Sequence, residues 1–324
     1  MVTRRTFVKG AVAIPVIGIG LTLPVAIDAA SSAVRVGSKD FPESITIGEM
    51  YALLLENAGL TVERKLNLGG TVVAHEALIS DSLDLYPEYT GTGLLVVLQS
   101  SIDAALAAAT PTASDAVATP TSDPRADAVF HYVQAQYKEQ FNLVWLEQSE
   151  MNDTQALAVT RKFAEENSLT TISQLVALAS SVDLVFSAPS DFEEREDGLL
   201  GLRSTYGEFE ATVNGVAPGI KYQALIDGDA NVVLAFSTDA EIAINDLVVL
   251  QDDKNLWPPY FVAPVVRQEA LDANPSIADA LNALAPLLTT AEMIKMNARV
   301  IGDEKAEPAT VAKDFLVSQG LIAG

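Results

Sequence analysis

Cysteine is absent from all 324 residues, which excludes disulfides, thiolate catalysis, zinc–thiolate sites and lipid attachment through an N-terminal cysteine. Histidine is nearly absent. His75 and His131 are the only two, each in a segment of helical spacing and neither beside a nucleophile. Asp127 lies one helical turn before His131, a spacing commoner for a charge pair on a solvated helix face than for a catalytic dyad. Both rings are therefore assigned packing or surface roles. Basic residues are few, 20 against 43 acidic ones, and the formal net charge is −23. A field of that sign repels nucleic acid and mildly favours cationic ligands, or serves solubility alone. Aromatic residues make up only 6% of the chain, so the places where they gather carry information. No metal or cofactor is expected.

Apolar side chains, at 49%, are plentiful enough for a substantial core, and the length suggests about two domains. The N-terminus is more specific. Thr3-Arg-Arg-Thr-Phe-Val-Lys9 precedes an apolar run from Ala11 to Ile27 and then the small residues Asp28-Ala-Ala-Ser-Ser-Ala33. A basic start, an apolar middle and a small-residue end predict an export signal over residues 1–32, of the twin-arginine type; a retained anchor is the alternative. Loss of Arg4, Arg5, Lys9 and Asp28 with the signal takes a net +2 from −23 and leaves −25. No later run is long and apolar enough to span a bilayer, so an extracytoplasmic location follows.

Beyond the signal, Ala33 to Gly37 alternates as a strand, and Ile47, Met50, Tyr51, Leu54 and Ala58 follow a helical period closed by Gly59. A strand at Thr61–Leu68, a helix at Thr71–Ser80 and a strand at Leu83–Tyr86 complete a rhythm that predicts parallel α/β pairing. The residues at about 100–127, rich in Ala, Thr, Ser and Pro, predict a surface insertion. A helix over 128–141 and a strand at Leu143–Leu146 follow. A second α/β unit begins near Asp153, with strands at Gln155–Val159, Val182–Phe186, Val232–Phe236 and Leu247–Leu250. After these only helices are expected, over 277–288, 291–300 and 309–319.

One internal echo stands out. Ala77-Leu-Ile-Ser-Asp81 leads to a strand ending in Tyr89-Thr90, and Ala224-Leu-Ile-Asp-Gly228 leads to one ending in Phe236-Ser-Thr238. Chance similarity of two helix-turn-strand units is one meaning. The other is that two sheets each deliver an aromatic and hydroxyls to a strand's carboxyl end, where open α/β sheets place ligands. Tyr86, Tyr89, Phe236, Trp257 and Tyr260 all fall at strand-to-loop transitions or in loops. Ring faces gathered at one point attract a cation, each worth roughly 0.5–2 kcal/mol, and suit quaternary ammonium groups, which cannot donate a hydrogen bond. A carboxylate at the ligand's other end would need Lys39, Arg195, Thr90 or Thr92.

Val36-Gly-Ser-Lys-Asp-Phe41, Leu68-Gly-Gly-Thr71, Asp84-Leu-Tyr-Pro-Glu-Tyr-Thr-Gly-Thr92, Asp191-Phe-Glu-Glu-Arg-Glu-Asp-Gly198, Phe236-Ser-Thr-Asp239 and Pro258-Pro-Tyr260 occur in this order. Together they resemble the motifs of the substrate-binding proteins of glycine betaine/choline/carnitine ABC importers, from about Val34 to the C-terminus. The resemblance implies a type II periplasmic-binding-protein fold, two α/β lobes joined by two crossover segments and closing by hinge motion. It places lobe 1 over 33–147 and 245–324 and lobe 2 over 148–244. Carried over position by position, it assigns Lys39, Thr92 and Arg195 to the ligand carboxylate, Tyr89, Phe236 and Tyr260 to an aromatic cage, and Asp153 to the neighbourhood of the ammonium. Phe236 stands where tyrosine is common. Gln155 stands where a further cage aromatic is often found, leaving three walls or a hydrogen bond to a ligand hydroxyl. The implied partners are a small quaternary ammonium solute and an ABC permease with its ATPase, the chain acting as a monomer. An exported enzyme and a sensory binding module are the rival readings. For an enzyme, the acidic run at Asp191, Glu193, Glu194, Glu196 and Asp197 has no histidine near it.

Overall fold

A computed structural model describes residues 33–109, 124–217 and 220–324. The expected export signal, and the part of the Ala/Thr/Pro segment over 110–123, lie outside the described residues. In chain order the strands are β1 (Val34–Gly37), β2 (Val62–Lys65), β3 (Leu85–Tyr89), β4 (Leu143–Trp145), β5 (Gln155–Thr160), β6 (Leu184–Ala188), β7 (Ala211–Gly215), β8 (Val232–Phe236), β9 (Leu247–Leu250) and β10 (Val262–Arg267). They form two five-stranded sheets, ordered β2-β1-β3-β10-β4 and β7-β6-β8-β5-β9. In each sheet four strands run the same way, and the one in the fourth position, which enters along a crossover, is antiparallel to them.

Local sequence accounts for most of this. The helix Pro42–Asn57 starts on a proline, which lacks the N–H that a first turn cannot use, and is left at Gly59 with φ +85°. Of its predicted stripe, Ile47, Met50, Tyr51 and Leu54 are buried, packed by the C-terminal helix Pro308–Ser318, whereas Ala58, at the helix end, is exposed. Burying such side chains contributes about 1.5–3 kcal/mol each. The two units of the echo occupy matching places: the helices Thr71–Ile79 and Lys221–Asp227 lead into β3 and β8, each third in its sheet.

Three expectations are corrected. Val262–Arg267 is not helical; it is β10, between β3 and β4. Its period was hidden by Pro264, which a central strand rarely holds. Here Pro264 sits opposite Pro87, so neither N–H is missed by its partner. Second, β9 pairs with β5, so the second sheet runs on to Leu250 and the return crossover begins after it, not at 245. Third, the expected insertion contains an ordered helix, Ile102–Ala108, capped by the Ser101 hydroxyl, which accepts from Ala104 N at 3.1 Å, with Ala105 buried beneath.

The two crossovers, 146–154 and 251–261, touch each other. Asp153 N donates to Tyr260 O at 2.9 Å, and the Asn152 side-chain oxygen accepts from Tyr260 N at 2.7 Å. His75, as expected, packs in the core, edge-on to Phe141 and Tyr137, and His131 is exposed.

Candidate ligand-binding cleft

β3 delivers Tyr89 to its carboxyl end, and a helical turn begins at once with Thr90. The Thr90 hydroxyl donates to Pro259 O and accepts from Phe261 N, both at 3.0 Å. Gly91 then lies flat on the Tyr260 ring; a Cβ there would sit 2.7 Å from Cε1. Only glycine allows this approach, which fixes Tyr260 from behind. Over Gly93–Val97 the helix widens, with Leu98 N reaching back to Gly93 O. In the other lobe, β8 delivers Phe236 in register with Gln155, the first residue of β5.

These strand ends face one cavity of about 630 Å³, a size usual for small-molecule sites. Lys39, Tyr89, Thr92, Asp153, Gln155, Arg195, Phe236 and Tyr260, all eight residues singled out by sequence, line it. Tyr86 and Trp257 do not. Tyr86 instead donates to Glu88 at 2.9 Å, and the Trp257 indole N–H donates to Asp197 O at 2.8 Å; both rings support the wall from outside.

The cavity has two electrostatic ends. At one, Lys39 Nζ pairs with Glu88 at 2.5 Å, and Arg195 grips Asp197 with two hydrogen bonds of 2.7 Å. Glu88 and Asp197 are fully buried. Asp197 also accepts from Gln155 Nε2 at 2.6 Å and from the Tyr260 hydroxyl at 3.1 Å. Burial alone would raise the Asp197 carboxyl, but Arg195 and these two donors outweigh it and hold it below the usual range. Burial lowers the Lys39 ammonium, Glu88 opposes that, and Arg195 lies near enough to disfavour a second positive charge. Among the described residues, the third Arg195 nitrogen bonds only the exposed Asp191, at 3.3 Å.

At the other end, three carboxyl groups gather. Asp153 accepts from the Thr238 hydroxyl at 2.5 Å; Glu43 accepts from the Tyr89 hydroxyl at 2.8 Å and from Asn297 Nδ2 at 2.9 Å. Asp239 accepts from Lys221 Nζ at 2.8 Å and the Tyr222 hydroxyl at 2.6 Å. Burial first, and mutual repulsion second, push the Asp153 carboxyl well above its ordinary value; burial raises Glu43 too, against hydrogen bonds from Thr238, Asn297 and Tyr89. Neither has a cation bonded to it among the described residues.

Four aromatic rings line the cavity: Phe41, Tyr89, Phe236 and Tyr260. Phe41, 6.1 Å from Tyr89, was not anticipated, although it follows Lys39 in the first motif. Phe236 is partly engaged, because Lys221 Nζ lies over one face, 4.2 Å from its centroid. Glu43, Lys221 and Asn297 were also missed. Glu43 adjoins a quoted motif, whereas Lys221 and Asn297 sit in helices whose sequence carries no local sign of a site. Among the described residues, no three His, Asp or Glu side chains are placed to hold a metal ion.

Comparison with known proteins agrees with this architecture. The chain is 31% identical over 287 residues to the ergothioneine transport permease/ergothioneine binding protein EgtU of Helicobacter pylori, covering 88% of this chain but only 47% of that one. It is 30% identical to the glycine betaine-binding protein YehZ of Escherichia coli, covering 90% and 92% of the two chains. A crystal structure described as a glycine betaine/carnitine/choline ABC transporter superposes with a TM-score of 0.65 at 28% identity, covering 89% of this chain and 99% of that one. The two mixed sheets and paired crossovers are those of a type II periplasmic-binding-protein fold. Residues 32–318 match the model of the OpuAC family, and the chain belongs to that family, the substrate-binding domains of ABC-type glycine betaine transport systems.

Proposed function

We propose that this substrate-binding protein captures a zwitterion with a quaternary ammonium head and a carboxylate tail, without altering it chemically. The observation that carries this reading is the charge separation within one aromatic-lined cavity: Lys39 and Arg195 at one end, Asp153 and Glu43, without bonded cations, at the other. Rings of Tyr89, Tyr260 and Phe41, and the free face of Phe236, would surround the methylated nitrogen, each contributing roughly 0.5–2 kcal/mol. Asp153 supplies the countercharge. The outward Arg195 nitrogen, Lys39 and Thr92 would receive the carboxylate, where a charge-assisted bond is worth about 1.5–3 kcal/mol. Gln155 gives its amide hydrogens to Asp197 and Tyr260 and so serves the wall rather than the ligand's head.

The chain acts, in this reading, as a monomer outside the cytoplasmic membrane, exported by its twin-arginine-type leader, and hands its cargo to a permease driven by an ATPase. A thermal-shift panel of glycine betaine, proline betaine, choline and carnitine tests it. Ligand at a hundred times Kd adds about 2.7 kcal/mol to native stability, so at least one compound should raise Tm by several degrees. A Tm unmoved by all four overturns the reading. Arg195→Gln should weaken the betaines about tenfold or more and choline, which has no carboxylate, far less; equal losses would remove Arg195 from carboxylate recognition.

A further inference from the structure

The internal echo extends to charge. Each of its two strands ends in a ring with a lysine ammonium against it: Lys39 Nζ lies 5.1 Å from the centroid of Tyr89, and Lys221 Nζ 4.2 Å from that of Phe236. Lys39 stands near Arg195, where a ligand carboxylate is expected. Lys221 instead places a fixed positive charge at the acidic end, where the ligand's own positive charge should go. It is held there firmly. Its side chain is 5% exposed and donates to Asp239 Oδ2 at 2.8 Å, the oxygen that also accepts from the Tyr222 hydroxyl at 2.6 Å and from Phe236 N at 2.9 Å. The ammonium is thus tied, through one carboxylate, to the backbone of the ring that it covers. A buried ion pair adds little stability over apolar side chains of the same volume, so a part in recognition is the fuller account of it.

We infer that Lys221 is a specificity-determining residue that acts through the Phe236 ring, without touching the ligand, and disfavours a bare cation in the cage. An ammonium over one face of a ring draws on the same electrons that would attract a second cation to the other face, and the two positive charges repel with only the ring between them. Choline meets that repulsion in full. A betaine meets less of it, because its carboxylate brings the opposite charge into the same cleft. Lys221 also favours the charged form of Asp153, a service that the ligand's own cation takes over on binding. The inference rests on the zwitterion reading above and deepens it, by naming the group that turns the simple cation away.

Titration calorimetry with choline and glycine betaine tests it, on the full chain and on Lys221→Met, which keeps the length of the side chain and removes its charge. Lys221→Gln, which can still donate to Asp239, takes its place should the methionine variant fail to fold. Choline should bind the neutral variant roughly tenfold tighter than the unaltered protein, within what one contact between a cation and a ring is worth, and glycine betaine less than about threefold tighter. The preference for the zwitterion then narrows. A lysine that only supported the fold would, on removal, weaken both ligands alike. Equal changes for the two ligands, or any loss for choline, therefore overturn the inference, as does an unaltered protein that takes choline as tightly as glycine betaine; in each case binding of glycine betaine leaves the zwitterion reading standing. Binding of neither compound to any of these proteins sinks both.

Discussion

Burial first, and repulsion from neighbouring carboxylates including Asp239, raise the Asp153 and Glu43 carboxyls above their ordinary values, against the hydrogen bonds each accepts and, for Asp153, the attraction of Lys221. The sign follows by linkage. A carboxyl raised in the native state makes the empty protein lose stability as pH climbs above about 4, the ordinary carboxylate value, through the raised one. A cation between Tyr89 and Asp153 would favour the charged form, so capture of choline or a betaine should release a proton and tighten as pH rises over this interval. Calorimetry in two buffers of different ionisation enthalpy measures that proton; a net uptake of zero, unchanged in Asp153→Asn, would refute the coupling. At this scale the sequence named eight cavity residues by motif, but not the groups that each would meet. Lys221 over Phe236 depends on how the helix Lys221–Asp227 folds back onto the strand that follows it, and Glu43 beside Tyr89 on a contact between segments distant in the chain, for neither of which a local pattern exists.

Among the elements, the turn after β3 shows how a motif becomes geometry. Gly91 is required because the Tyr260 ring rests against its backbone, and Thr90 ties the same turn to Pro259 and Phe261. Gly91→Ala should therefore cost about 1–3 kcal/mol of stability by overpacking and push Tyr260 into the cleft. Denaturant melts and betaine titrations read both effects, and an alanine variant that binds and unfolds like the parent would show that the ring moves freely. Helices and strands with a clean period, such as Pro42–Asn57 and β8, were legible because their buried faces repeat. β10 was not. Two prolines precede it and one lies within it, and what makes it a strand is the pair of neighbours, β3 and β4, that supply its hydrogen bonds from more than a hundred residues away.

For the whole molecule, two sheets of matching order face one cleft and are joined through segments that touch at Asp153 and Tyr260. A bond from Asn297 to the Thr238 carbonyl, and the attraction of Asp197 for the Lys39 ammonium against repulsion from Arg195, span the gap between lobes. Ligand held by both walls should favour the closed arrangement. Small-angle scattering with a saturating ligand from the panel should show a smaller radius of gyration, whereas an unchanged value would argue for a rigid cleft. The sequence by itself determined the α/β class, the repeated helix-turn-strand unit and the residue types that a cation and a carboxylate require, because period, turn chemistry and motif order are local properties. Only tertiary structure decided which ring faces stay open and which charges are already paired. Those outcomes follow from burial and from contacts across the chain, and no stretch of residues contains them alone.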